Sequence, residues 1–304
     1  MNATELDRLA RAYLLTVRTP GDPEVAELVA AHGPALTAEF VSASSGSVWE
    51  ADAAAVVAES DRADLRLVVP GDPEWPAGDP DVVGLWVSGR GQLAELSRRA
   101  VGFAGSVAAT PYGVQVAARL AAELALAGRT VVTLGRLGID AAALRGAMQE
   151  TRTADLEARR AGALSAPRVA PPARRVAPAV VLPLGRLTHP EPPAHAALFR
   201  RVSRDGLLVS EHGTRPPDRD TAADLYRQGQ LMAGLVQGLV LVEPGWGSRW
   251  LVDAAETANV PVLAVPGALG SEQSKGAHEL IRDGRARLVV GPVDILDRIG
   301  RGRR

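Results

Sequence analysis

Cysteine is missing from the 304 residues, which excludes disulfides, thiolate zinc sites and a cysteine nucleophile. Lysine is nearly missing as well: Lys275 stands alone, and every other basic side chain is arginine. Net charge is only −1, so any surface for nucleic acid has to be a local patch and cannot come from overall basicity. No uninterrupted apolar run is long enough for a bilayer. The opening residues carry Glu5 and Asp7 where a signal peptide has a basic segment and then an apolar one. A cytoplasmic protein without membrane attachment is the expectation. The five histidines (His32, His189, His195, His212 and His278) lack metal-ligand spacing, and no acid/base pair stands out. Hence no metal, cofactor or catalytic residue is expected. The three-glycine dinucleotide fingerprint is absent too, which disfavours NAD.

What is present is organised around residues 100–149. Ala100 to Ala104 is a short apolar run of the kind buried on both faces in a parallel sheet. It enters the loop Gly105-Ser106-Val107-Ala108-Ala109-Thr110. Thr110-Pro111 then starts a helix to about Ala127, with Gly113, Ala117, Leu120 and Leu124 on one stripe. Gly113 is expected to let that helix approach the sheet. Thr130 to Leu134 is the next strand, followed by the loop Gly135 to Asp140 and a helix from Ala141 to Gln149. Both loops are expected at the carboxyl edge of the sheet, where ligands of open α/β sheets bind. A glycine loop, a serine and a helix N-terminus suit a phosphate, and the plain alternative is a tight turn. Asp140 is placed either to cap its helix or to bond a sugar or base. Glu243, beside Gly247-Ser248, faces the same crevice, either as a functional group or as a solvated one.

The fold class expected is α/β: an extended Rossmann-like, mostly parallel sheet with helices on both faces, preceded by a small helical module. Residues 1–60 give that module, of SAM or helix-hairpin-helix type, with helices over Glu5 to Leu15, Glu24 to Ala31 and Ala51 to Ser60 and another after Gly33-Pro34. Residues 61–304 give the sheet domain. It is interrupted at about 150–178 by a Pro/Arg/Ala-rich stretch, read over Arg160 to Pro178 as a flexible surface insertion. Further strands are expected over Leu65 to Val69, Gly84 to Ser88, Ala179 to Leu184, Gly206 to Ser210, Leu239 to Val242, Pro261 to Val265 and Arg287 to Val290. Helices are expected over Pro193 to Arg204, Ala222 to Leu235 and Leu251 to Ala258, with Lys275-Gly276 opening one over Ala277 to Arg282.

Gly105-Ser106, Ala109-Thr110-Pro111-Tyr112-Gly113 and Gly138-Ile139-Asp140-Ala141-Ala142 resemble the DNA-processing protein A (DprA, or Smf) family. So do His195-Ala196-Ala197-Leu198-Phe199, Gly206 to Glu211, Ala264-Val265-Pro266-Gly267 and Lys275-Gly276, in one order over nearly the whole chain. The resemblance implies a non-enzymatic protein that binds single-stranded DNA, as a homodimer. It implies protection of incoming DNA and its transfer to the RecA recombinase in natural transformation. Carried over by position, the DNA- or phosphate-facing residues are Gly105, Ser106, Gly135, Arg136, Gly138, Arg145, Arg227, Gly247, Ser248, Lys275 and Gly276. Departures are Val107, where the family has arginine, Leu134-Gly135 for its serine-glycine, and Leu144 for a histidine. Gln228-Gly229-Gln230 stands for its Arg-Asn-Arg, with Arg227 alongside. An alternative comes from Pro244-Gly245-Trp246-Gly247-Ser248, which resembles the nucleotide loop of the LOG phosphoribohydrolases. The glutamate that loop requires is replaced by Arg249-Trp250-Leu251.

Overall fold

The structure is a computed structural model that describes residues 3–18, 22–43, 48–78, 82–148, 179–183, 185–214, 221–245 and 248–299. The insertion expected at about 150–178 lies outside the described residues, as does Gly247. The chain opens with four helices, α1 (Ala3–Val17), α2 (Pro23–His32), α3 (Pro34–Ala43) and α4 (Trp49–Arg62). Asp22 starts α2 by accepting the Glu24 N–H at 3.0 Å, and Gly33, at φ 81°, ends it. Apolar residues at helical spacing meet in a small core: Ala10, Tyr13, Leu14, Val25, Ala38, Val41, Trp49 and Ala53. The other faces of α1 and α4 send Ala12, Leu15 and Val56 onto Leu65 and Trp86 of the sheet. Arg8 adds an ion pair to Asp72 at 2.6 Å, and Arg11 donates to the Val83 carbonyl at 2.6 Å.

Nine strands form one sheet: β1 (Leu65–Val68), β2 (Leu85–Gly89), β3 (Ala100–Gly105), β4 (Thr130–Thr133), β5 (Ala179–Val181), β6 (Leu207–Ser210), β7 (Leu239–Val242), β8 (Val262–Val265) and β9 (Arg287–Leu288). Their order is β1-β2-β6-β5-β4-β3-β7-β8-β9. The run from β6 to β9 is parallel, and β1 and β2 are added antiparallel at one side. Strand β3 shows why both faces must be covered. Ala100 and Ala104 point into one core while Val101 and Phe103 point into the other, the period-two alternation of a doubly buried strand. The first core is covered by α5 (Leu93–Ser97), α9 (Thr221–Leu235), α10 (Arg249–Thr257) and α11 (Glu272–Arg282). The second is covered by α6 (Pro111–Leu126), by α7 over residues 139–148, and by α12 (Pro292–Ile299). Helix α8 (Ala196–Asp205) packs with Phe199 and Val202 beside β5 and β6. The expected α/β architecture is therefore present.

Local differences have physical causes. Helix α11 begins at Glu272, three residues earlier than its expected opening, so Lys275 and Gly276 lie inside its first turns. Residues Pro193–His195 form a 3₁₀ turn ahead of α8, because the clustered Pro190, Pro192 and Pro193 remove donors a helix needs. Among the described residues no helix is long and apolar enough to cross a membrane.

Gly105 of β3 pairs with Val242 of β7. A Cβ built there would lie 1.8 Å from the Val242 carbonyl oxygen, which belongs to backbone and cannot swing away. Gly105→Ala is expected to lower the unfolding free energy by about 3 kcal/mol in urea titrations. Gly270→Ala, with nothing within 4 Å, should stay within about 0.5 kcal/mol of the parent.

Candidate nucleic-acid interface

The loops that follow β3 and β4 touch through their backbones. Ile139 N–H donates to the Ser106 carbonyl at 3.1 Å, and a Cβ on Gly138 would fall 2.1 Å from that same oxygen. Gly138 also has φ +73°, so conformation and space both demand glycine. Gly135, at φ +72°, is backed by Phe199 and Val181. Its carbonyl lies 2.9 Å from Nδ1 of buried His195, which must donate there. His195 therefore orients the second loop.

The helix N-terminus expected to meet an external phosphate is met by the protein's own Glu243. This residue ends β7 with φ 48° and is buried. Its Oε2 accepts the Thr110 N–H at 2.9 Å, and its Oε1 accepts the Thr110 hydroxyl. Thr110 Oγ in turn accepts the Gly113 N–H at 3.2 Å, capping α6. A Cβ on Gly113 would lie 2.4 Å from Glu243 Oε2, so Gly113 makes room for this carboxylate. That corrects the expectation that Gly113 serves approach to the sheet. A carboxylate at a helix N-terminus satisfies the same free N–H groups and dipole as a phosphate would.

Asp140 is fully buried and binds Arg136, accepting from Nε at 3.3 Å, Nη2 at 3.4 Å and the backbone N–H at 3.4 Å. It thus ties the second loop to α7 and is closed to a sugar. Burial pushes its carboxyl above the ordinary 3.8, while the Arg136 charge and the N–H groups of Arg136 and Leu134 pull it back. The Arg136 guanidinium also lies over the ring of Trp250, 5.9 Å from its centroid. Trp250 is on α10, after β7, so the segments that follow β4 and β7, the strands flanking β3, come into contact.

The remaining candidates are spread along the edge. Ser248 stands at the N-cap position of α10 without a side-chain capping bond, and donates its N–H to the Gly245 carbonyl at 3.0 Å. Gly276 lets α11 press on that loop, since a Cβ would lie 1.9 Å from the Pro244 oxygen. Between α10 and α11 is a cleft of about 330 Å³, with Arg249, Lys275 and Arg285 facing Glu272, Glu279 and Asp283. Lys275 pairs with Glu272 at 2.6 Å, on the surface. Arg227 binds Glu211 at 3.1 Å beyond β6, and also Gln230 at 3.1 Å. Arg145 is exposed on α7 and makes no hydrogen bond or ion pair among the described residues. The structure therefore brings Gly105, Ser106, Gly135, Arg136 and Gly138 to one crevice, with Ser248, Lys275 and Gly276 in the adjoining cleft. Among the described residues no group of three or more His, Cys, Asp or Glu could hold a metal ion.

A family model described as DNA recombination-mediator protein A matches residues 66–156 and 173–300. The chain belongs to this family. It is 32% identical to a Mycobacterium tuberculosis protein bearing the name DNA processing protein DprA, over 97% of this chain and 76% of that one. The fold is also that of DNA processing protein A from Streptococcus pneumoniae: TM-score 0.66 at 21% identity, covering 90% of this chain and 85% of that one. The Helicobacter pylori protein of the same name, whose structure is described by its single-stranded DNA binding mode, gives 0.58 at 20% identity. That match covers 77% of this chain and 94% of the other.

Trp250 and His195 touch the second loop, at Arg136 and Gly135, without standing among the residues expected to face DNA or phosphate. Trp250 lies in an apolar helical stretch, and only the helix start after the β7 loop marks it. The raised Asp140 carboxyl generates a test. The folded state holds this proton more tightly than the unfolded chain, so its contribution is complete below pH 3.8 and is lost as pH rises above that value. Urea unfolding across pH should show stability falling through that interval, and Asp140→Asn should flatten the fall. Equal pH slopes in the two proteins would contradict the assignment.

Proposed function

We propose that the protein binds single-stranded DNA along the carboxyl edge of β4, β3 and β7, does no chemistry on it, and passes it to the RecA recombinase in natural transformation or recombination. In this reading the glycine loops at Gly105, Ser106, Gly135 and Gly138 line the path, with Arg136 at its centre and Ser248, Lys275 and Gly276 beside it. Gly247, Arg145 and Arg227 are kept as outer contacts. Residues 61–304 then form the binding domain and residues 1–60 a helical module mounted on it, and two copies work as a homodimer inside the cytoplasm.

The observation that carries the reading is the Arg136–Trp250 contact. It joins a cation from the loop after β4 to an aromatic ring from the helix after β7, and such pairs suit a flexible strand with exposed bases. Family membership supports it, as does the single-stranded DNA named for the Helicobacter pylori relative. The positions where the family carries extra arginines are Val107, which is exposed, Gln228, which donates to the Leu182 carbonyl at 3.2 Å, and Gln230. Few phosphates are therefore neutralised, and each contributes about 0.7 to the log–log salt slope for single strands. Fluorescence anisotropy with labelled single strands and duplexes of equal length, across salt concentrations, tests this. Saturable binding that prefers the single strand and has a shallow slope is expected. Equal binding of duplex, or no saturable binding at low salt, would refute it.

A further inference from the structure

Arg136 is oriented on two sides. Nε and Nη2 face Asp140 at 3.3 and 3.4 Å, and the guanidinium carbon lies over Trp250 at 5.9 Å. Asp140 is fully buried, whereas the Arg136 side chain keeps 16% of its surface exposed and Nη1 makes no hydrogen bond among the described residues. Trp250 is itself held in place. Gly229 of α9 packs so closely that a Cβ would lie 2.5 Å from Cζ3, and the ring leans on the apolar core.

This arrangement separates two properties that an arginine normally offers together. The Asp140 carboxylate offsets the positive charge, so the pull on a phosphate is weak. The flat guanidinium and its free Nη1 edge remain, stiffened by the indole behind them. A rigid planar group with an unused donor is matched to the face and edge of a nucleobase. It is poorly matched to a phosphate, because Asp140 already occupies Nε and Nη2 and so removes most of the donor fork that a guanidinium offers a phosphate.

Resting on the single-stranded DNA reading above, we propose that Arg136, backed by Trp250 and oriented by Asp140, is a stacking platform for one nucleobase. Trp250 and Asp140 are positioning residues, and Arg136 is the group that touches the base. The platform gives this chain base-directed affinity at an edge where Val107, Gln228 and Gln230 supply no charge.

The test compares the parent protein with Arg136→Lys and Trp250→Phe, each checked by thermal melting. Arg136→Lys keeps a cation beside Asp140 and removes the plane, and Trp250→Phe keeps an aromatic backing. Each protein is titrated with an oligothymidylate and with an abasic-spacer strand of equal phosphate number. Arg136→Lys should weaken oligothymidylate binding by roughly 5- to 150-fold, the range of one lost stacked base, with the salt slope unchanged. It should leave the abasic strand unaffected, and Trp250→Phe should retain most of the affinity. A folded Arg136→Lys protein that binds oligothymidylate as tightly as the parent would overturn the platform and leave the DNA reading intact. So would an equal loss on both strands with a slope shallower by about 0.7, which would mark a phosphate contact. If the parent binds neither strand, the DNA reading fails and the platform with it.

Discussion

The crevice depends on the carboxylate of Glu243 at the N-terminus of α6. Two donors of Thr110 reach it from the loop after β3, while Glu243 itself ends β7, so one side chain locks two neighbouring strand ends together. The lock requires a backbone at φ 48°, unusual for a residue with a side chain, and a helix without a Cβ at Gly113. It requires, too, that β3 end in Gly105, since any side chain there strikes Val242. The result is a glycine loop with the geometry of a phosphate cradle whose principal anion position is already filled from within. The free energy that such a helix end offers an external anion is committed to the fold instead.

A second carboxylate acts alike. Asp140 neutralises Arg136 from a fully buried position and fixes the loop after β4, which in turn meets the loop after β3 through Gly138 and Ser106. With both acids turned inward, the crevice presents backbone, a flat guanidinium and an indole. Under the proposed single-stranded DNA reading, such a surface would favour bases over phosphates, and the replacement of three family cations by Val107, Gln228 and Gln230 would then exchange affinity drawn from charge for affinity drawn from planarity.

Much of the fold was legible from local pattern alone. Ala100 to Ala104, Thr110-Pro111 and Leu239 to Val242 announce buried strands and a capped helix start, and the structure places each within a residue or two. The antiparallel addition of β1 and β2 was not legible, because strand direction depends on partners far apart in the chain. In the site, glycines were readable as tight backbone, yet their neighbours were not. Gly113 reads as a helix–sheet contact until Glu243, 130 residues later, is seen to occupy its missing side chain. Lys275-Gly276 reads as a helix opening because glycine usually marks an end, whereas here Gly276 admits the Pro244 carbonyl from within α11. Trp250 carries no motif, and its role arises only from the approach of α10 to the second loop.

The path of a single strand over the sheet edge decides the DNA-binding reading. Photocrosslinking with strands carrying 5-iodouracil, followed by peptide mapping, measures this directly. Crosslinks concentrated on Trp250 and on the loops at residues 105–110 and 135–140 are predicted. Crosslinks confined to the helices before residue 63, or to the α12 end of the sheet, would contradict it.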